Sequence, residues 1–322
     1  MLFRDKLNEV GKKLSPEFDR LFDTIIKKQF HDGDLLLILE NGLYNSEVHT
    51  WTNLDEKISP YMIGPSHEGH SSNTHYKFIH TYRSNAVADI SLVDYLKELE
   101  YTPEKREQIN QMQEVESQSI QLEMLIYLKI WEADSFIKIF YQICRLLYKE
   151  PYDWHFKVAE SSRDNSATGN RQTLIRKKIR DRFKDEFPII YEAFKKAYLT
   201  QVRNSIAHSK YSIIGRNIHL NNHVKEDPAS QLHGLKFDEW IEMFHHTMII
   251  YNEQIGLFEK ARRLYSETAK HHDNLIQVRV SRQDPEERTE LRFLKYRQLT
   301  PEFGRWSWAR EEDFREKDSN SS

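Results

Sequence analysis

Between Ser119 and Leu147 a helical projection leaves almost no face for water. Leu122, Leu125, Ile126, Ala133, Phe136, Ile137, Phe140, Ile143, Cys144 and Leu147 recur at three- and four-residue steps as one broad stripe. Ile120, Met124, Leu128, Trp131, Ile139 and Leu146 widen it. A helix apolar nearly all round must be enclosed on several sides. The stretch therefore predicts the central helix of a bundle, with the remaining helices packed about it. Glu132 and Asp134 interrupt the stripe. One reading puts them at a solvent seam or against a neighbouring donor, since buried acids are normally paired.

Composition agrees with a mainly α chain. Of 322 residues 30% are charged and 39% hydrophobic, and glycine (10) and proline (9) are few. The length suits one large or two modest domains. The net charge is −3, so any nucleic-acid site depends on a local patch. Cys144 is the one cysteine, which excludes an intramolecular disulfide or a zinc-thiolate site and agrees with a reducing cytosol. The start Met1-Leu2-Phe3-Arg4-Asp5-Lys6 lacks the apolar core of a signal peptide. The longest aliphatic run, Leu35–Leu39, is too short to span a bilayer, so no membrane partner is expected and the location reads as cytoplasmic.

Three regions follow along the chain. Residues 1–100 form a helical and irregular N-terminal part with a recognition or regulatory role. Residues 1–31 read as two helices, the second starting at Ser15-Pro16-Glu17. Leu35–Leu39 is a short buried helix or strand; period alone leaves both open. Residues 44–85 are irregular and hold His67, His70, His75 and His80 with Glu68. Their spacing fits no helix face, so no metal site is expected, and the segment is a candidate binding surface. Residues 101–270 form the bundle, closed by a long helix capped at Asp238 and carrying Trp240, Phe244, Met248, Tyr251, Ile255, Phe258, Ala261 and Tyr265 on one face. Within it, Tyr211–Leu220 suggests a short hairpin, and His219, His223 and His233 follow in a loop. Residues 271–322 alternate at Ile276, Val278 and Val280 and again at Leu291, Phe293 and Lys295, which predicts a β-hairpin. Trp306 and Trp308 are expected to dock the tail.

The chemistry-bearing stretch is Pro188–Tyr211. Pro188 suits a first helical turn, and Ile190, Phe194, Ala197, Tyr198, Val202, Ser205 and Ile206 follow at helical steps, predicting one helix that ends at His208. Arg203, Asn204 and His208 sit at its end. Asn204 and His208 are four apart and lie one above the other. Arg203 and His208 are five apart, roughly 140° round a regular helix at about 100° per residue. A guanidinium presents a planar fork of donors suited to a phosphate. An imidazole gives or takes a proton near neutral pH. Together they are a minimum kit for cleaving a phosphodiester whose nucleophile is the ribose 2′-OH. One histidine cannot serve as base and acid in a single step, which points to two copies across a twofold axis.

Val202-Arg203-Asn204-Ser205-Ile206-Ala207-His208-Ser209 resembles the signature of the HEPN superfamily: Arg, a polar residue, three residues, then His, at the end of a helix in a small bundle. The resemblance covers about residues 101–270. It implies a HEPN-like bundle and a metal-independent endoribonuclease that needs no cofactor and works on RNA as a homodimer. It further implies a toxin or anti-phage defence role, with an antitoxin or regulatory protein as partner. The catalytic set is then Arg203, Asn204 and His208, with Glu132 or Asp134 orienting it and Tyr211 near the position of a tyrosine in some toxin members. The basic run from Arg171 to Lys184 includes Arg171, Arg176, Lys177 and Arg180. It reads either as a solvated helix face or as a phosphate track leading to Arg203. Some relatives keep the fold and only bind partners, so the alternative is a non-catalytic RNA- or protein-binding module.

Overall fold

The enclosed stretch is helical, but it forms two helices rather than one. The computed structural model describes residues 2–40, 90–150, 152–153, 158, 170–227, 230–281, 289–300, 303–309 and 311–314. Its helices are α1 Arg4–Lys28, α2 Asp34–Glu40, α3 Leu92–Glu98, α4 Arg106–Glu132, α5 Asp134–Leu147, α6 Asn170–Thr173, α7 Pro188–Ala197, α8 Thr200–Ala207 and α9 Phe237–Lys270. The strands are β1 Tyr211–Ile214, β2 Asn217–Leu220, β3 Gly234–Lys236, β4 Leu275–Ser281, β5 Thr289–Thr300 and β6 Phe303–Trp308. The described residues are thus mainly helical, with two small antiparallel sheets among them, ordered β1-β2-β3 and β4-β5-β6. Among the described residues no helix is long and apolar enough to cross a membrane.

Contacts divide the chain into two compact units. One comprises Met1–Phe18, Asn73–Ala133 and Ile175–Glu253; the other comprises Asp19–Ser72, Asp134–Leu174 and Gln254–Ser322. Each unit gathers three separated stretches, so divisions near residues 100 and 270 mark changes of sequence character rather than of contact. The first break in the apolar stretch falls at the unit boundary. Ala133 turns extended (φ −73°, ψ 109°), and Asp134 opens the next helix, where a negative charge is favourable.

In the first unit α4 and α9 supply the core. Tyr127, Trp131, Trp240 and Phe244 are all essentially excluded from solvent. Their polar edges are answered: Trp131 Nε1 donates to Thr247 Oγ1 at 3.2 Å, and Trp240 Nε1 donates to Glu123 Oε2 at 3.1 Å. Glu123, fully buried, also accepts the Leu2 main-chain N–H at 3.2 Å. The Leu2 carbonyl lies 3.0 Å from His245 Nε2; a carbonyl only accepts, so Nε2 carries the proton. Burial pulls the His245 pKa down to about 4 from an ordinary 6.5. The unfolded chain therefore binds the extra proton more readily between those values, and stability falls as pH drops through that window. The expected slope is about 1.4 kcal/mol per pH unit from this group. Urea midpoints measured across pH 4 to 7 check it, and His245→Gln should flatten the profile.

Helix α1 corrects the expectation of two helices. It runs unbroken from Arg4 to Lys28 with Pro16 inside it. Leu7, Leu14, Phe18, Leu21 and Ile25 form one buried stripe, and this packing overrides the missing hydrogen bond. Pro16 is itself exposed. Pro16→Ala is expected to raise stability by about 1–3 kcal/mol, read as a higher urea midpoint with an unchanged slope.

The β1–β2 hairpin forms as expected, with Ile214 opposite Asn217 across a two-residue turn. Gly215 takes φ 55° at the first central position, where a side chain would be strained. The turn presents Arg216 to Glu116. Arg216 Nε and Nη2 donate to the two Glu116 oxygens at 2.9 and 2.8 Å, and Nη2 also reaches Asp238 at 2.8 Å. Tyr95 Oη donates to the same Glu116 at 3.0 Å. Helix α9 begins at Phe237 and carries Asp238 in its first turn.

In the second unit the undecided run Leu35–Leu39 is helix α2, which packs on α5. Gly33 donates its N–H to the Gln277 carbonyl at 3.0 Å. A Cβ at Gly33 would fall 2.6 Å from that oxygen, so only glycine permits this approach to β4. The expected C-terminal hairpin is present, pairing Ile276 with Leu294 and Val278 with Arg292. Alternation did not foretell β6, which adds a third strand and buries Trp306 fully. The side chain of Trp308, the histidine segment 67–80, the loop 161–169 and the turn at Asp284-Pro285-Glu286-Glu287 lie outside the described residues.

Candidate active site

The motif does not end one continuous helix. Helix α7 stops at Ala197, and Tyr198 and Leu199 are both extended (ψ 111° and 117°) before α8 begins. The break is stable because the backbone groups it frees have partners. The Ala197 carbonyl accepts Thr247 Oγ1 at 3.2 Å, and the Leu199 N–H points to Tyr127 Oη at 3.5 Å. The ring of Tyr198 lies 4.8 Å from that of Trp131. Burial, with Tyr198 close by, pushes the Tyr127 phenol up, so it stays neutral.

Helix α8 turns Val202, Ser205 and Ile206 inward, leaves Arg203 and Asn204 half-buried, and exposes His208. Arg203 Nη1 donates to Asn204 Oδ1 at 2.6 Å. Arg203 Nε forms an ion pair with Glu132 Oε1, although Nε makes no well-aligned hydrogen bond. The Arg203 side chain as a whole is 21% exposed. Three of the expected residues, Glu132, Arg203 and Asn204, therefore meet. Asp134 does not join them; it pairs with Arg171 at 2.6 Å in the other compact unit.

His208 caps the helix. Its N–H donates to the Asn204 carbonyl at 3.0 Å, which sets the two residues one turn apart on the same face. Ser209 then adopts φ 52°, and Lys210 returns its N–H to the Ser205 carbonyl at 2.7 Å. This is a Schellman closure with serine where glycine is usual. The Ser205 hydroxyl bonds back to the Lys210 carbonyl, which locks the turn. Tyr211 opens β1, half-buried, opposite Leu220.

The basic run divides. Arg180 is paired with Asp181 at 2.6 Å and lies over the Tyr191 ring. Arg176 and Lys177 are exposed on a π-helical turn, Leu174–Ile179, with Lys178 beside them. Arg171 and Arg180 are paired with acids, so a phosphate track in the first unit would draw on the exposed Arg176, Lys177, Lys178 and Lys184.

Gln201 was not singled out by sequence. It is 5% exposed, donates to the Leu232 carbonyl at 2.7 Å and accepts the Leu232 N–H at 2.9 Å. Its own carbonyl accepts Asn222 Nδ2 at 2.9 Å, and at the other end of α8 Asn221 donates to the Lys210 carbonyl at 2.8 Å. The loop from 221 to 233 is thus fastened to both ends of the motif helix. It carries His223 and His233, whose rings stack 3.9 Å apart. A glutamine two residues before an arginine carries no pattern that announces this role.

Among the described residues no group of three or more His, Cys, Asp or Glu side chains could hold a metal ion. Compared with protein-family models, curated proteins and solved structures, the chain matches none.

Proposed function

We propose that the chain is a metal-independent endoribonuclease of the HEPN type, acting as a homodimer with Arg203, Asn204 and His208 as its catalytic set. The observation that carries this reading is the end of α8. A partly exposed Arg203 is held by Asn204 and Glu132, and the exposed His208 stands one turn beyond Asn204. In the proposed reaction the 2′-O–H loses its proton to one imidazole and the oxygen attacks phosphorus. The bond to the 5′-oxygen breaks, and that oxygen takes a proton from the second imidazole. Arg203 stabilises the charge that gathers on the phosphoryl oxygens. Asn204 fixes the plane of the guanidinium, and an incoming phosphate competes with Glu132 for it. Arg176 and Lys177 meet the RNA backbone. Such an activity in a cytoplasm fits a toxin or a phage-defence effector restrained by an antitoxin or regulatory protein.

The test is incubation with total RNA in excess EDTA. Cleavage leaving 2′,3′-cyclic phosphate and 5′-OH ends, and lost in His208→Ala, is the expected result. Cleavage that needs metal, or that survives the substitution, removes the proposal.

The ion pair with Glu132 also favours a second reading, in which Arg203 is structural and the module only binds RNA or a protein. Arg203→Ala separates the two. A lowered melting temperature in a protein that never cleaves RNA supports the binding module.

A further inference from the structure

The loop from 221 to 233 stands on one flank of the motif. Gln201 and His208 are seven apart, so roughly 20° separates them round a regular helix and about 10 Å along it. Gln201 holds Leu232, donating to its carbonyl at 2.7 Å and accepting its N–H at 2.9 Å. Asn221 donates its N–H to the Lys210 carbonyl at 2.8 Å. The loop therefore runs along the His208 side of α8. Arg203 leaves the helix about 160° round from Gln201 and meets Glu132 there. Asn204, to which Arg203 donates, lies between the two sides.

The loop is braced from within. The Val224 N–H donates to the Ser230 carbonyl and the Asp227 N–H to the Val224 carbonyl, each at 3.1 Å. Gln231 Nε2 donates to the carbonyls of Val224 and Asp227 at 3.0 and 2.5 Å. On this frame the rings of His223 and His233 stack, with centroids 3.9 Å and planes 25° apart. His223 is half-buried, whereas His233 is exposed. Their chain neighbours Val224 and Leu232 are 47% and 41% exposed. Two flat rings already held together need little further ordering to accept a third. Unpaired bases settle on such aromatic faces, those of histidine included, whatever their sequence.

We propose that the His223–His233 stack is a base-binding subsite beside the motif. An unpaired base next to the scissile phosphate lies on the His233 ring while that phosphate rests on Arg203. The subsite takes its ligand, a single-stranded RNA, from the nuclease reading above. A strand held on both flanks of His208 presents the ribose between them to the imidazole. A duplex, whose bases are already paired and stacked on one another, is disfavoured.

Binding is measured by fluorescence anisotropy on the full chain in EDTA. One probe is a short single-stranded 2′-O-methyl RNA, which keeps its bases and lacks the nucleophile. The other is the same backbone without bases. The wild type is expected to bind the base-bearing strand more tightly. His233→Ala should weaken that strand at least about fivefold and leave the abasic strand unchanged. His233→Phe, which keeps a flat ring, should restore the preference. Equal affinity of the wild type for the two strands, no binding of either, or an equal loss on both strands in His233→Ala overturns the subsite. So does a failure of His233→Phe to restore the preference. Cleavage of ordinary RNA by the wild type, with binding of the two strands indifferent to His233, removes the subsite and leaves the nuclease reading standing. A His233-dependent preference in a protein that never cleaves RNA does the reverse.

Discussion

His208→Ala and Arg203→Ala are each expected to lower metal-free RNA cleavage by about 10²- to 10⁴-fold. His208 is exposed, and its main-chain N–H rather than its ring closes the helix end. Its removal should therefore leave stability within about 0.5 kcal/mol of wild type. Arg203 also holds Asn204 and Glu132, so its variant is best read beside Arg203→Lys, which keeps the charge and loses the planar fork. The double variant should be scarcely slower than either single one, because groups acting on one transition state do not contribute independently. Single-turnover cleavage of a fluorogenic RNA in EDTA gives all four rates. A homodimeric site adds a sharper outcome. Mixing the two inactive variants should restore part of the rate if one subunit supplies the guanidinium and the other the imidazole. Variants that retain full rate would end the nuclease reading.

Arg216→Met is expected to destabilise the fold by about 3–5 kcal/mol. Glu116 is 1% exposed, and Arg216 answers both of its oxygens. Without the guanidinium, among the described residues only Tyr95 still donates to this buried carboxylate, and an unpaired buried charge is costly. The penalty belongs to the orphaned acid rather than to the ion pair itself. The double variant Glu116→Leu with Arg216→Met should therefore recover most of the loss. Urea denaturation of the two singles and the double closes the cycle. A single variant within about 1 kcal/mol of wild type would contradict the argument.

The sequence made the periodic parts legible for a local reason. In the long helix from Phe237 and in β4 the residues that set the period also set the buried face; in β5 they do not, since Leu291 is 50% exposed while Leu294, of the opposite parity, is fully buried opposite Ile276. The interruptions were not legible because their causes are distant in sequence. The helix breaks after Ala197 because Thr247 and Tyr127, 50 and 72 residues away, answer the freed groups. Pro16 stays inside α1 because a stripe of apolar side chains outweighs it, although its local signal is that of a helix start. The spacing of Asn204 and His208 could be read from the chain. Which acid faces Arg203 could not, since Glu132 and Asp134 are two residues apart and only the turn at Ala133 sends them to different arginines. Gln201 was invisible because its partners belong to a loop with no period.

The eight residues of α8 are too few to hold a helix in water by themselves. Their shape is imposed by the aromatic seat under Tyr198, by the inward Val202 and Ile206, and by the loop tied on at Gln201 and Lys210. The signature is therefore not portable. A synthetic peptide copying residues 199–210 will be a coil in water, and the arrangement of Arg203 beside Asn204 and Glu132 will be lost with the fold around it.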